Sequence, residues 1–300
     1  MLGNPGFLRR LSAWLVDRHP RRGSRFALLV AMACALAVAA CGDPDPPLPA
    51  ESSEPPPLAG IAAFQRGSDV YVQDIGGAPR LLVENASYPR WSPDGESVAV
   101  VSGKRILVVE AGSGKVREIA RAGDPVAVAW HPDGSRVYYT DGKSVRAAPA
   151  SGGVGEVIAT GYRLLEMDVG PGGRTLVGTH KGFDYEIVWF DLESGENRTL
   201  EAGCSASFSP DGALVSNLLG GHQRLALISI AGGGHARVLN TPGEVRYDNH
   251  FWTNHPDWIT GELEGDRRDI VLIHAGDGRI RKITDVGNAS RGDVHIRTGG

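Results

Sequence analysis

The stretch "WSPDG" (Trp91–Gly95) decides the fold, because the chain repeats it. "WHPDG" (Trp130–Gly134), "VGPGG" (Val169–Gly173) and "FSPDG" (Phe208–Gly212) place their prolines at 93, 132, 171 and 210, three successive steps of 39 residues. Proline presets φ at the second turn position, and aspartate tolerates the third while bonding nearby backbone amides. Glycine then takes the left-handed conformation that closes a short hairpin. Behind each turn stands a strand-like run ("SVAVVS", "RVYYT", "TLVGTH", "ALVSNLL"), then a second ("RILVVEA", "SVRAAPA", "EIVWFDL", "RLALISI"), a turn and a third. Runs of this length and β-branched content, separated by turn residues, are strands joined by hairpins.

A four-stranded unit recurring every 40 or so residues is the signature of a β-propeller, whose small sheets bury their faces against one another. The apolar residue ahead of each turn (Trp91, Trp130, Val169, Phe208) is expected to pack between neighbouring sheets. "HFWTNHPDWI" (His250–Ile259) is a further copy, with Pro256 lying 46 residues after Pro210 and Trp258 where glycine is expected. Residues 61–85 carry three strands of a unit without its turn-bearing first strand, and "NASRGDVHI" (Asn288–Ile296) can supply it. One blade assembled from both ends removes an exposed sheet edge and brings the tally to six. The expected fold is therefore all-β: a six-bladed propeller of four-stranded antiparallel blades, closed by a C-terminal strand completing the first blade.

The "WSPDG" units, with "DVYVQD" (Asp69–Asp74) and endings such as "RLLVEN" and "RKITD", resemble the TolB-type, WD40-like propeller family of exported bacterial envelope proteins. The resemblance covers residues 59–296. It departs at "VGPGG", which lacks the aspartate, and at "HPDW", which lacks the glycine. It implies a non-catalytic scaffold that binds an envelope protein or a small ligand at the mouth of the central channel, and no cofactor. A weaker resemblance to oligogalacturonate lyase propellers implies an alternative, a Zn- or Mn-dependent lyase or hydrolase acting on acidic oligosaccharides. A purely structural envelope lipoprotein is the third reading.

The ends of the chain read as an address and a tether. Arg21, Arg22 and Arg25 precede the apolar run Phe26–Ala40, the layout of a secretory signal, and its roughly fifteen residues fall short of the ~20 a spanning helix needs. "VAAC" (Val38–Cys41) resembles a lipobox, so residues 1–40 are read as a lipoprotein signal peptide and Cys41 as the lipidated first mature residue. Residues 41–58, rich in proline, acid and serine, form the tether, and residues 59–300 the propeller. These features place the protein in the bacterial cell envelope, facing the periplasm or exterior. Gly42, where a retention aspartate would stand, favours the outer membrane.

Composition narrows the partners. The first 40 residues hold six arginines and one aspartate, which leaves 25 basic and 34 acidic residues and a net charge near −9. Nucleic acid is excluded on that ground, and a monomer is expected. Cys204 has no partner left for a disulfide and reads as a buried strand cysteine.

In a propeller the turns joining first and second strands lie on one face, with His131 and His255. The loops entering each first strand, and those joining second to third, lie on the other. That second face is expected to carry Tyr88, Arg90, Tyr162, Arg163, His180, His222, Asp248 and His250 at the channel rim. His180, His222 and His250 come from blades four, five and six, and their imidazoles are the candidate metal ligands, with Asp184 and Asp248 near. "RGD" (Arg291–Asp293) falls in the predicted closing strand, where an adhesion role is not expected.

Overall fold

The computed structural model describes residues 58–219, 221–232, 234–240 and 246–297. The signal, Cys41 and residues 42–57 of the tether lie outside the described residues. The described residues form six four-stranded antiparallel sheets. Five are built in chain order, from the first strands Ser87–Trp91, Val128–Trp130, Leu164–Val169, Cys204–Phe208 and Tyr247–Trp252. The sixth sheet joins the two ends, because Ala289–Ile296 pairs with Gly60–Arg66 in the register Ala62↔Val294, ahead of Asp69–Asp74 and Arg80–Val83. Numbered along the chain, this shared sheet is blade one and Tyr247–Trp252 opens blade six. The first strands contact one another around the ring, and so line its axis.

Six apolar clusters fill the six spaces between adjacent blades. Trp91 packs with Ile61, Val70 and Leu107 between blades one and two, Trp130 with Val101 and Tyr139 between two and three, and Phe208 with Val177 and Ile187 between four and five. Each blade thus buries the apolar face of its inner strand against its predecessor, as the position ahead of the turn predicts. Backbone amides donating to side chains of other blades tie the ring together near the axis. Asp293 accepts from the Trp91 amide at 2.7 Å, Asp168 from Phe208 at 3.0 Å, and the Ser207 hydroxyl from Trp252 at 3.0 Å. Gly292 and Asp293 of "RGD" are accordingly internal, Asp293 being only 6% exposed.

The turns follow their chemistry. Gly95, Gly134, Gly173 and Gly212 have φ between 71° and 73°, and each donates its amide to the carbonyl three residues back. Asp94 accepts from the Ser92 hydroxyl and the Glu96 amide, and Asp211 repeats the arrangement with Ser209 and Ala213. "VGPGG" closes without aspartate through Gly173, and "HPDW" through the Trp258 amide on the His255 carbonyl at 3.3 Å.

Candidate functional site

The inner strands carry the feature that shapes the channel. In blades two, four, five and six the pairing with the second strand slips, between Ser87 and Arg90, Leu164 and Glu166, Cys204 and Ser207, and Asp248 and Phe251. Blade one slips opposite Arg291. Within these bulges Tyr88, Ser205, Asn249 and Arg291 have φ between 44° and 61°, the left-handed region that residues with a Cβ seldom enter. A bulge re-aims side chains and frees backbone groups. Two of the freed amides meet carboxylates: Ser205 donates to Glu166 at 2.8 Å and Arg291 to Glu262 at 3.0 Å.

The channel consequently has two mouths and a plug. On the face of the loops entering each blade, a cavity of about 450 Å³ is walled by Tyr88, Arg163, Tyr185 and Arg291 and floored by Glu166, Cys204, His222, Asp248 and Asn249. Below it the space narrows to about 20 Å³, room for roughly one water. The opposite mouth holds about 160 Å³ between the proline turns. The narrow part is blocked by Arg90, whose guanidinium lies 3.5 Å from the centre of the Phe251 ring and 3.9 Å from Asp168 and from Asp293. All three charged side chains are between 9% and 18% exposed.

Burial sets the protonation of the floor. Glu166 is held above the usual carboxylate range by desolvation, with the Asp248 charge adding to it, although Thr179 and Ser205 hydrogen bond its ionised form. Asp168 is also raised by burial, against the opposing pull of Arg90. Desolvation first, and then the charges of Glu166 and Asp248, push the Cys204 thiol up to about 12. This thiol stays protonated and is a poor nucleophile. A larger groove of about 510 Å³ lies between blades three and four, but its charges already pair, Arg136 with Glu156 and Arg174 with Glu193.

Of the eight residues expected at the rim, Tyr88, Arg163, His222 and Asp248 line the wide mouth. Four do not. Arg90 sits deep in the channel as the plug. Tyr162 turns to the gap beside blade four, where its ring packs on Phe190 at 4.9 Å and its hydroxyl donates to Asn197 at 2.5 Å. His180 rests against that tyrosine at 5.2 Å, with Nδ1 3.3 Å from the Arg163 carbonyl. His250 is fully buried inside its strand, where desolvation and the nearby His222 hold it down to about 3. Neither of its ring nitrogens has a hydrogen-bond partner among the described residues.

The proposed three-imidazole cluster therefore does not form. Instead, His222 meets two carboxylates, Asp248 and Glu264, with one donor atom from each lying within 4.8 Å of the others. His222 Nδ1 is 2.5 Å from Glu264 Oε1, and its Nε2 is 3.3 Å from Cys204 Sγ. Sequence reasoning missed Glu166, Cys204, Tyr185, Glu264 and Arg291. A signal for the first was present in "LLEMDV" (Leu164–Val169), which places two carboxylates in a strand bound to line the axis.

The fold and channel define a six-bladed propeller with an open mouth on one face, lined by aromatic, arginine and carboxyl side chains. The TolB beta propeller domain family matches residues 43–254, and the chain belongs to that family. Similar solved structures include TolB from Acinetobacter baumannii, at 17% identity and a TM-score of 0.64 over 79% of this chain and 66% of that one. A putative TolB from Agrobacterium tumefaciens is 15% identical with a TM-score of 0.62, over 81% of this chain and 99% of that one. A nidogen/laminin complex contains a chain 11% identical with a TM-score of 0.65, over 78% and 98%. The chain thus spans about two thirds of the length of the Acinetobacter protein. No curated protein sequence matches it.

Proposed function

We propose that this protein is a non-catalytic binding scaffold of the bacterial cell envelope, held to a membrane by lipid on Cys41, that takes a segment of an envelope protein or a small ligand into its wide mouth. The observation that carries the reading is the asymmetry of the channel. One mouth is a cavity of about 450 Å³ with aromatic and arginine walls, while the other is about 160 Å³ and lies beyond the Arg90 plug. Aromatic and arginine side chains on rigid strands are the usual anchors of an interface. A through-channel for passage of a substrate is disfavoured by the plug, and the protonated thiol supplies no nucleophile. Membership of the TolB propeller family supports the envelope location.

A photo-crosslinking residue placed at Tyr185, on the mouth wall, and at Asp133, on the opposite face, tests the reading in intact cells. Discrete adducts from position 185 and none from 133 are expected. Adducts from 133 alone, or from neither position, refute it.

A further inference from the structure

We infer that His222, Asp248 and Glu264 form a binding site for one divalent transition-metal ion of the zinc class, at the wide mouth between blades five and six. This inference rests on the mouth being the functional face, and it adds a ligand that the scaffold reading does not require.

The three side chains come from separate elements drawn together by backbone bonds. His222 lies in the loop between Leu214–Leu219 and Arg224–Ser229 of blade five, Asp248 in the inner strand of blade six, and Glu264 just past the second strand Trp258–Leu263. The Tyr247 amide donates to the His222 carbonyl at 3.0 Å, and the Glu264 amide to the Arg246 carbonyl at 3.0 Å. The segment 246–248 therefore holds both loops in place. One imidazole nitrogen and two carboxylates form a borderline donor set, suited to zinc and related ions rather than to calcium or magnesium, which prefer all-oxygen shells.

The imidazole is already oriented for the task. Its Nδ1 faces Glu264, and its Nε2 faces the Cys204 sulfur. A metal-bound histidine carries its proton on the other ring nitrogen and gives it to an outer partner, which fixes tautomer and ring angle. Here Nδ1 is the ligand atom, Nε2–H donates to Cys204 Sγ, and Cys204 is a positioning residue outside the coordination shell. The Nδ1–Glu264 contact gives way to coordination of the ion by both side chains. Tetrahedral donors about 2.0–2.1 Å from zinc sit roughly 3.3 Å apart, so the widest pair, within 4.8 Å now, closes by up to about 1.5 Å. Two of the donors, His222 and Glu264, are on loops, which lets them make that movement. Three protein donors leave at least one coordination position, and His222 and Asp248 both line the cavity, so that position opens to whatever enters the mouth.

The test is titration of the purified full-length chain with zinc against a chromophoric chelator, with calcium and magnesium as competitors. One zinc per chain is expected, undisturbed by either competitor. His222→Ala and Asp248→Asn each weaken binding more than tenfold, with melting curves showing that both variants remain folded. Cys204→Ala weakens it by about tenfold, as loss of an outer partner does, and His180→Ala leaves it unchanged. Cobalt(II) should give tetrahedral ligand-field bands with no thiolate charge-transfer band. Absence of stoichiometric binding, retention of affinity in His222→Ala, loss of it in His180→Ala, or a charge-transfer band that vanishes in Cys204→Ala would each overturn the assignment. None of these outcomes depends on a partner, so failure here is separable from failure of the crosslinking test.

Discussion

Replacing Arg90 by methionine removes the cation from a channel that holds two carboxylates and the face of Phe251. Methionine keeps most of the volume, so the effect reports charge rather than a cavity. Breaking a buried ion pair on one side costs about 3–5 kcal/mol, and separations of 3.9 Å argue for the lower end. The lost contact with Phe251 adds about 1 kcal/mol. The sum, roughly 4 kcal/mol, corresponds to a fall in Tm of about 10 °C for a domain of this size.

The pH dependence carries the sharper sign. Asp168 is raised by burial even while Arg90 opposes the rise, so its removal lifts that carboxyl further. A carboxyl whose folded pKa exceeds its unfolded value takes up a proton in the folded state first. The penalty is therefore full above the folded pKa and shrinks as pH falls through it towards the unfolded value, about 3.9. Thermal and urea melts of Arg90→Met beside the parent, from about pH 8 down to about pH 4.5, read this directly. A loss below about 1 kcal/mol, the scale of an exposed pair, or one independent of pH, refutes the plug as an electrostatic element.

Further outcomes follow from the same geometry. His250 is buried with both ring nitrogens unpartnered among the described residues, so His250→Leu should raise stability by about 1–2 kcal/mol; a lower Tm would mean that the imidazole has a polar role in the strand. Gly95→Ala should cost more than Gly134→Ala although φ is 72° and 73°, because an added Cβ would lie 2.5 Å from the His295 ring at the first and meet nothing within 4 Å at the second. The second should lose only about 1–2 kcal/mol for the left-handed conformation, and equal melts for the two would contradict the inter-blade contact. Cys41→Ser should move the protein from the membrane to the soluble fraction, whereas continued sedimentation with membranes would sink the lipid anchor.

The architecture was legible because its determinants are local and repeated. Each turn is built on proline at a fixed offset, with aspartate and glycine in most copies, and each inner strand has an apolar residue before it, so five copies declare five blades and the two chain ends supply the sixth. Closure was legible for a related reason: a unit lacking its first strand at one end and a spare strand at the other have one economical pairing. The channel was less legible because a bulge shifts the alternation of side chains by one residue. Asp248 and Asn249 both reach the mouth from successive positions while His250 turns into the wall, and no periodicity argument placed the slip there. Arg90 was misjudged for a different cause. Its position one residue before the turn tryptophan points at the axis, where three acidic or aromatic partners from other blades hold it, and sequence spacing carries no information about that convergence. Glu264, at the end of a second strand, had the same difficulty.

The most direct test of the claim that the wide mouth is the binding face is hydroxyl-radical footprinting of the chain in isolated cell envelopes and after purification. Tyr185 is 44% and Phe183 fully exposed on that face, and Val157 is 52% exposed away from it. Tyr185 and Tyr88 are expected to be protected in the envelope and uncovered on purification, with Val157 equally reactive in both. Unchanged reactivity at Tyr185, or protection confined to Val157 and the proline-turn face, would contradict it.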